Sequence, residues 1–353
     1  MKTNAIGLCV LLLILLCLSG CTLVESESKP KPLPVPSNVE SLPSLEEWMQ
    51  SQEYNMPSKE PIILGFSQLG TESAWRIANS TSIQDAAKES GITLIIKNAE
   101  QSQTKQFEAV RSFIKQKVDV IAIAPVVESG WDDILQEAKQ AGIPVIIVDR
   151  SVDAQDTSLF VTTIGSDFYE EGVKAGKYIQ DRLRNMPGTI RIAELQGTSG
   201  STPSIQRGEG FRSILGDKAQ ILFSQSAPAD FTENKGRQVM EGFLQVREEE
   251  RPQVLFAHND EMAFGAIQAI QDAGLKPGED IIIVSVDGSR KALQSLADGQ
   301  INAVVECNPL LGPQLMQATK EIMAGRTLPK RMVPREDIFT QESAKREMLN
   351  RKF

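Results

Sequence analysis

Three short apolar runs in this chain each break off into a cluster of hydrogen-bonding groups. Ile143 to Val148 ends at Asp149-Arg150, Val254 to Ala257 ends at His258-Asn259-Asp260, and Ile281 to Val286 ends at Asp287-Gly288. Continuously apolar runs of this length suit strands buried on both faces of a parallel sheet. In such sheets ligands bind just past the carboxyl ends of the strands. The pattern therefore predicts a small polar ligand held by charged and amide side chains at those three ends.

From Ile62 onward strands and helices alternate with few interruptions. Strand Ile62–Ser67 leads into a helix over Ser73–Ser90, with Trp75, Ala78, Ile83, Ala86 and Ala87 on one stripe and Gly91 where a C-terminal glycine belongs. Strand Ile92–Lys97, helix Gln103–Lys117, strand Val118–Ala124, helix Trp131–Ala141 and strand Ile143–Val148 complete a first half. A short strand at Leu159–Ile164 precedes a second series. Helix Asp167–Arg184, strand Thr189–Leu195, helix Thr202–Leu215, strand Gln220–Gln225, helix Thr232–Arg247, strand Val254–Ala257 and helix Glu261–Ala273 follow. Strand Asp280–Val286, a helix from Ser289, strand Asn302–Glu306, helix Leu311–Met323 and an extended piece at Asp337–Thr340 end the pattern. Such alternation means βαβ units and parallel sheets, here two doubly wound α/β lobes with a crevice between them.

The first stretch differs. Lys2, an apolar run through Leu18 and then Ser19-Gly20-Cys21 read as a secretory signal, too short to span a membrane comfortably and ending in small residues. Leu18-Ser19-Gly20-Cys21 also resembles the bacterial lipobox, which implies lipidation of Cys21 and attachment to the membrane through that N-terminal lipid; a plain signal peptide is the alternative. Removing residues 1–20 takes away Lys2 alone among charged groups and moves the net charge from −9 to −10. An acidic chain has no counterions to release from phosphates, so nucleic acid is not an expected partner. Cys9 and Cys17 leave with the signal, and Cys307 remains as the one thiol. Residues 22–58 hold a proline-dense run, Lys29 to Ser37, that favours extended chain and reads as a tether; a short helix over Leu42–Met49 is expected within it.

Catalytic chemistry finds little support. The single His258 has no G-x-S-x-G nucleophile elbow to serve, and one histidine with one thiol cannot build a zinc site. Gly197-Thr198-Ser199-Gly200-Ser201 lies between a strand and a helix but lacks the P-loop lysine, so a tight turn is the plainer reading. Asp149-Arg150 is more specific, because both groups are costly to bury unless they bind a ligand or form an interdomain ion pair. Trp75 and Phe231 are either core or, placed after polar loops, aromatic faces for the C–H groups of a sugar.

These residues resemble the periplasmic sugar-binding proteins of ABC importers, a family with ribose- and galactose-binding members, and within it the galactofuranose-binding type. The likeness runs from about Ile62 to the end through Gly65-Phe66-Ser67-Gln68, Glu72-Ser73-Ala74-Trp75-Arg76, Ala124-Pro125-Val126-Val127, Gly130-Trp131 and Asp149-Arg150-Ser151. It continues through Glu194-Leu195-Gln196-Gly197, Asp230-Phe231-Thr232, Ala257-His258-Asn259-Asp260 and Gly265 to Ile270. The resemblance implies a type I binding-protein fold in which two Rossmann-like lobes, joined by three hinge strands, close like a flytrap on one monosaccharide. It places the first lobe at 59–164 plus 307–336 and the second at 165–306 plus 337–353. By position, Glu72, Trp75, Arg76, Asp149 and Arg150 would bind the sugar from the first lobe; Arg207, Phe231, Asn259 and Asp287 would face them, and Glu306 would lie at a hinge crossing. Carboxylates accept from hydroxyls and Arg forks donate to two oxygens at once, which suits each role. Glu72 in place of Asn, Ala74 in place of an aromatic and Glu306 in place of Gln depart from the ribose-binding pattern, while Arg76 fits the galactofuranose type. The family also implies a monomer without cofactor or enzymatic activity, extracytoplasmic, working with membrane permease subunits. Feeding a membrane histidine kinase or chemoreceptor is the alternative.

Overall fold

The computed structural model describes residues 61–216 and 218–353. Cys21, the signal, the tether and the expected Leu42–Met49 helix lie outside those residues. Two six-stranded sheets organise the rest. The first sheet holds β1 (Ile63–Gln68), β2 (Thr93–Asn98), β3 (Val120–Ile123), β4 (Val145–Val148), β5 (Thr162–Ile164) and the two-residue β11 (Arg331–Met332), in the order β11-β5-β4-β3-β1-β2. The second holds β6 (Ile190–Gln196), β7 (Ile221–Pro228), β8 (Val254–Ala257), β9 (Ile282–Asp287), β10 (Ala303–Glu306) and β12 (Ile338–Thr340), in the order β12-β10-β9-β8-β6-β7.

Every residue of β3, β4, β8 and β9 is buried, as continuous apolar runs require, whereas the edge strands β2 and β7 are half-exposed. Ten helices flank the sheets among the described residues: α1 (Ala74–Ser90), α2 (Gln103–Gln116), α3 (Asp132–Gln140), α4 (Phe168–Arg182), α5 (Thr202–Leu215), α6 (Glu233–Leu244), α7 (Asp260–Asp272), α8 (Arg290–Ala297), α9 (Gly312–Met323) and α10 (Gln341–Asn350). Their starts are written in the sequence. The side chains of Ser73, Ser102, Asp167, Thr232, Asn259 and Ser289 each accept the backbone N–H three residues on, satisfying an amide that the helix leaves free. At the far end of α1, Gly91 adopts φ 68°, the left-handed stop that its position predicts.

Two expectations are corrected and one helix is new. The second sheet is not wholly parallel: β12 runs antiparallel to β10, pairing Val304 with Phe339, because it belongs to the last passage of the chain and enters from the opposite end. The helix expected over Thr232–Arg247 stops at Leu244, and a separate 3-10 turn forms at Glu248–Glu250. α10 had no apolar stripe to announce it, since Ala344 is its only buried residue among the described ones.

The chain passes between the sheets three times: after β5, after β10 and after β11. One carboxyl stitches these passages together. Glu336 Oε1, on the third, accepts from Ser166 Oγ of the first at 2.6 Å and from Asn308 N of the second at 2.7 Å.

Candidate functional site

The three strand ends do converge. Asp149 and Arg150 follow β4, Asn259 follows β8, and Asp287 ends β9; all are buried around one cavity. Glu72, Trp75 and Arg76 enter from the β1–α1 loop and the start of α1, Arg207 from α5, and Phe231 from the loop after β7. Nine of the ten residues expected to bind ligand thus line one cavity, at the carboxyl ends of both sheets.

Glu306 does not. Its Oε1 accepts from Arg351 Nη1 at 2.7 Å and its Oε2 from Asp337 N at 3.2 Å. Side chains alternate along an extended strand, so at the end of β10 it is the neighbouring Cys307 that faces the cavity. Sequence reasoning also missed Ser73, Phe168 and Pro203 on the lining. Phe168 carried a usable signal, because it opens a helix directly after the polar N-cap Asp167.

The site is a lattice of charges around aromatic faces. Arg76 Nη2 lies 2.7 Å from Asp149 Oδ2 and Arg76 Nε lies 3.2 Å from Glu72 Oε1. Arg150 Nη1 donates to Val126 O at 2.8 Å, with its Nε 4.0 Å from Asp149 Oδ2. The Asp149-Arg150 pair is therefore tied within its own lobe rather than forming an interdomain bridge. Opposite, Arg207 Nε donates to Glu171 Oε2 at 2.7 Å and Nη1 to His258 O at 2.5 Å, while Nη2 stands 4.0 Å from Asp287 Oδ1. The guanidinium carbons of Arg150 and Arg207 lie 5.3 and 6.0 Å from the centroid of the Phe231 ring, so one aromatic face meets cations of both lobes.

Burial shapes the electrostatics. Desolvation, with the like charge of Arg76 beside it, lowers Arg150 to about 10. Desolvation and the nearby Asp260 carboxylate push Asp287 well above the ordinary carboxylate range. Burial also opposes the charge of Arg207, but Glu171 outweighs it and the net direction is up. Three polar atoms in the cavity wall are buried without a hydrogen-bond partner: Arg150 Nε, Glu72 Oε2 and Asp149 Oδ2, the last ion-paired with Arg76. A donor and an acceptor left in this way cost free energy unless a ligand supplies the complement.

Backbone strain collects here as well. Asp149, Phe231 and Asp287 have φ of 64°, 60° and 121°, unusual for residues other than glycine and typical of positions held for function. Gly197 explains how Phe231 fits: a Cβ there would lie 1.8 Å from the ring. The Gly197–Ser201 loop is thus a packing turn rather than an anion cradle, and it also meets the other lobe, Gly200 O accepting from Glu128 N at 3.0 Å. His258 is structural: its Nε2 lies 2.8 Å from Glu194 Oε1 and its ring is fully buried beside Phe256.

The chain is similar to known proteins along most of its described length. The galactofuranose-binding protein YtfQ of Escherichia coli (strain K12) is 39% identical over 300 residues, covering 84% of this chain and 94% of that protein. A Mycobacterium smegmatis protein solved in complex with β-D-fucofuranose superposes with a TM-score of 0.80 at 48% identity, covering 82% of this chain and 94% of the other. The periplasmic binding protein component of the arabinose ABC transporter from Shewanella sp. ANA-3, bound to α- and β-L-arabinofuranose, gives 0.79 at 46% identity, covering 82% and 95%. The periplasmic binding protein domain matches residues 64–327, and to that family this chain belongs.

Proposed function

We propose that this protein is a lipid-anchored extracytoplasmic receptor that captures one furanose-form monosaccharide of the galactofuranose class between its lobes and delivers it to an ABC permease. Membership of the family makes it a non-enzymatic sugar-binding protein of the ABC importer type. The furanose reading rests on the relatives named above, whose ligands are galactofuranose, fucofuranose and arabinofuranose. Supporting the site residues is a single observation: Arg150 Nε and Glu72 Oε2 stand buried and unpaired on a cavity that three aromatic side chains also line.

Sugar recognition by this set follows from its chemistry. Each hydroxyl donates one hydrogen bond and accepts others, so alternating carboxylate and guanidinium groups can pair both functions. Trp75 and Phe231 offer flat apolar faces to the C–H side of a ring. Because partners come from both lobes, full contact exists only after closure, and the ligand shifts the population toward the closed state. A thermal-shift screen of D-galactose, D-fucose, L-arabinose, D-fructose and D-ribose tests the reading. Stabilisation by at least one furanose-forming sugar is expected, and no shift with any of them would overturn it.

A further inference from the structure

We propose that Glu261 is a positioning residue that clasps the two lobes together, setting how long the sugar stays bound without touching it; the proposal rests on the sugar-binding reading above. Glu261 is not among the residues lining the cavity. It is the second residue of α7, beside the second sheet, and its Oε1 accepts from Ala74 N, the first residue of α1 beside the first sheet, at 2.7 Å. Its other oxygen, Oε2, accepts from Asn259 Nδ2 at 2.9 Å.

The first amides of a helix have no acceptor within the helix. In α1 the Ser73 side chain serves Arg76 N, and the first turn holds no acidic residue of its own. The acceptor for Ala74 N comes instead from across the cleft. Trp75 and Arg76, the next two residues, bind from one side of the site, and Asn259 binds from the other. One carboxyl thus connects ligand-binding residues of both lobes. When the lobes part, water must take over Ala74 N, so this bond belongs to the closed state alone and acts on escape rather than on capture.

Titration gives the clasp a signature. Burial and the Asp260 charge push Glu261 up to about 7; Glu72, itself paired with Arg76, and Asp287 are the other carboxylates that face it. The closed-state value lies above that of an exposed carboxylate, so closure takes up a proton. Affinity should be greatest at low pH and decline as pH rises through about 7.

The test measures association and dissociation rates by stopped-flow tryptophan fluorescence, using whichever sugar of the screen binds the wild-type protein. Glu261→Ala should raise koff by about tenfold and leave kon within about twofold. Glu261→Gln, which keeps an oxygen for Ala74 N, should hold koff within about threefold while losing the wild-type slope between about pH 6 and 8. A koff for Glu261→Ala within about twofold of wild type would overturn the proposal. If no sugar binds the wild type, the sugar-binding reading falls and a ligand-independent readout still decides the clasp. Pulsed dipolar distances between nitroxides at the exposed Lys115 and Gln271 should lengthen in Glu261→Ala, and an unchanged distribution overturns it.

Discussion

Arg150 shows at the scale of one residue how the site trades stability for recognition. Its guanidinium is fully inside, holds one backbone carbonyl and leaves Nε without a partner. Charge-assisted hydrogen bonds are each worth roughly 1.5–3 kcal/mol. Arg150→Ala should therefore weaken sugar binding by on the order of 100-fold, while Tm moves by only a few degrees. Calorimetric titration and a thermal melt check both halves, and binding retained within about threefold would show that the residue serves its own lobe rather than the ligand. Residues of this kind were legible in sequence because charge directly after an apolar strand has few structural uses. Cys307 was not, since a small apolar side chain reads equally well as core, and Phe168 was so only through its place directly after an N-cap. Glu306 misled for a different reason: charge beside a crossing looked like ligand contact, but the register of β10 turns it toward Arg351.

Among the elements, the β6–α5 turn carries a constraint that composition alone would hide. Gly197 read as part of a tight turn, and its missing side chain also makes room for the Phe231 ring. Gly197→Ala should push that ring from the cavity, destabilising the fold by roughly 1–3 kcal/mol as overpacking does. Sugar affinity should fall with it, because Phe231 supports both Arg150 and Arg207. Denaturant unfolding and titration of the same variant measure the two effects, and an unchanged affinity would remove Phe231 from the binding face. Most elements were readable from the apolar pattern, which is strongest where strands are buried on both faces. β11 and α10 were not, because two paired residues have no period and a helix with one buried residue has no stripe.

For the whole molecule, the three passages between the sheets meet at Glu336, whose side chain lies among Ser166, Cys307 and Asn308 with Glu171 nearby. Burial and then the Glu171 charge raise it to about 8, against the bonds from Ser166 and Asn308 that pull it down; Glu306 adds to the rise. A carboxyl raised from the ordinary 4.5 contributes stability that is fully present below about 4.5 and is lost as pH rises through about 8. Asp260, at about 6, and Glu261, at about 7, act in the same direction. Tm should therefore fall between about pH 5 and 8.5, and fall less in Glu336→Gln, which keeps an oxygen for Ser166 and Asn308; equal slopes would remove Glu336 from the effect. The central claim remains that the cavity between the lobes is a furanose site closed by the ligand itself. Isothermal titration of wild-type protein with the furanose-forming sugars tests it most directly: one sugar bound per chain, with the heat lost in Arg150→Ala, is the predicted result, and no binding by any of them, or equal binding by the variant, would contradict it.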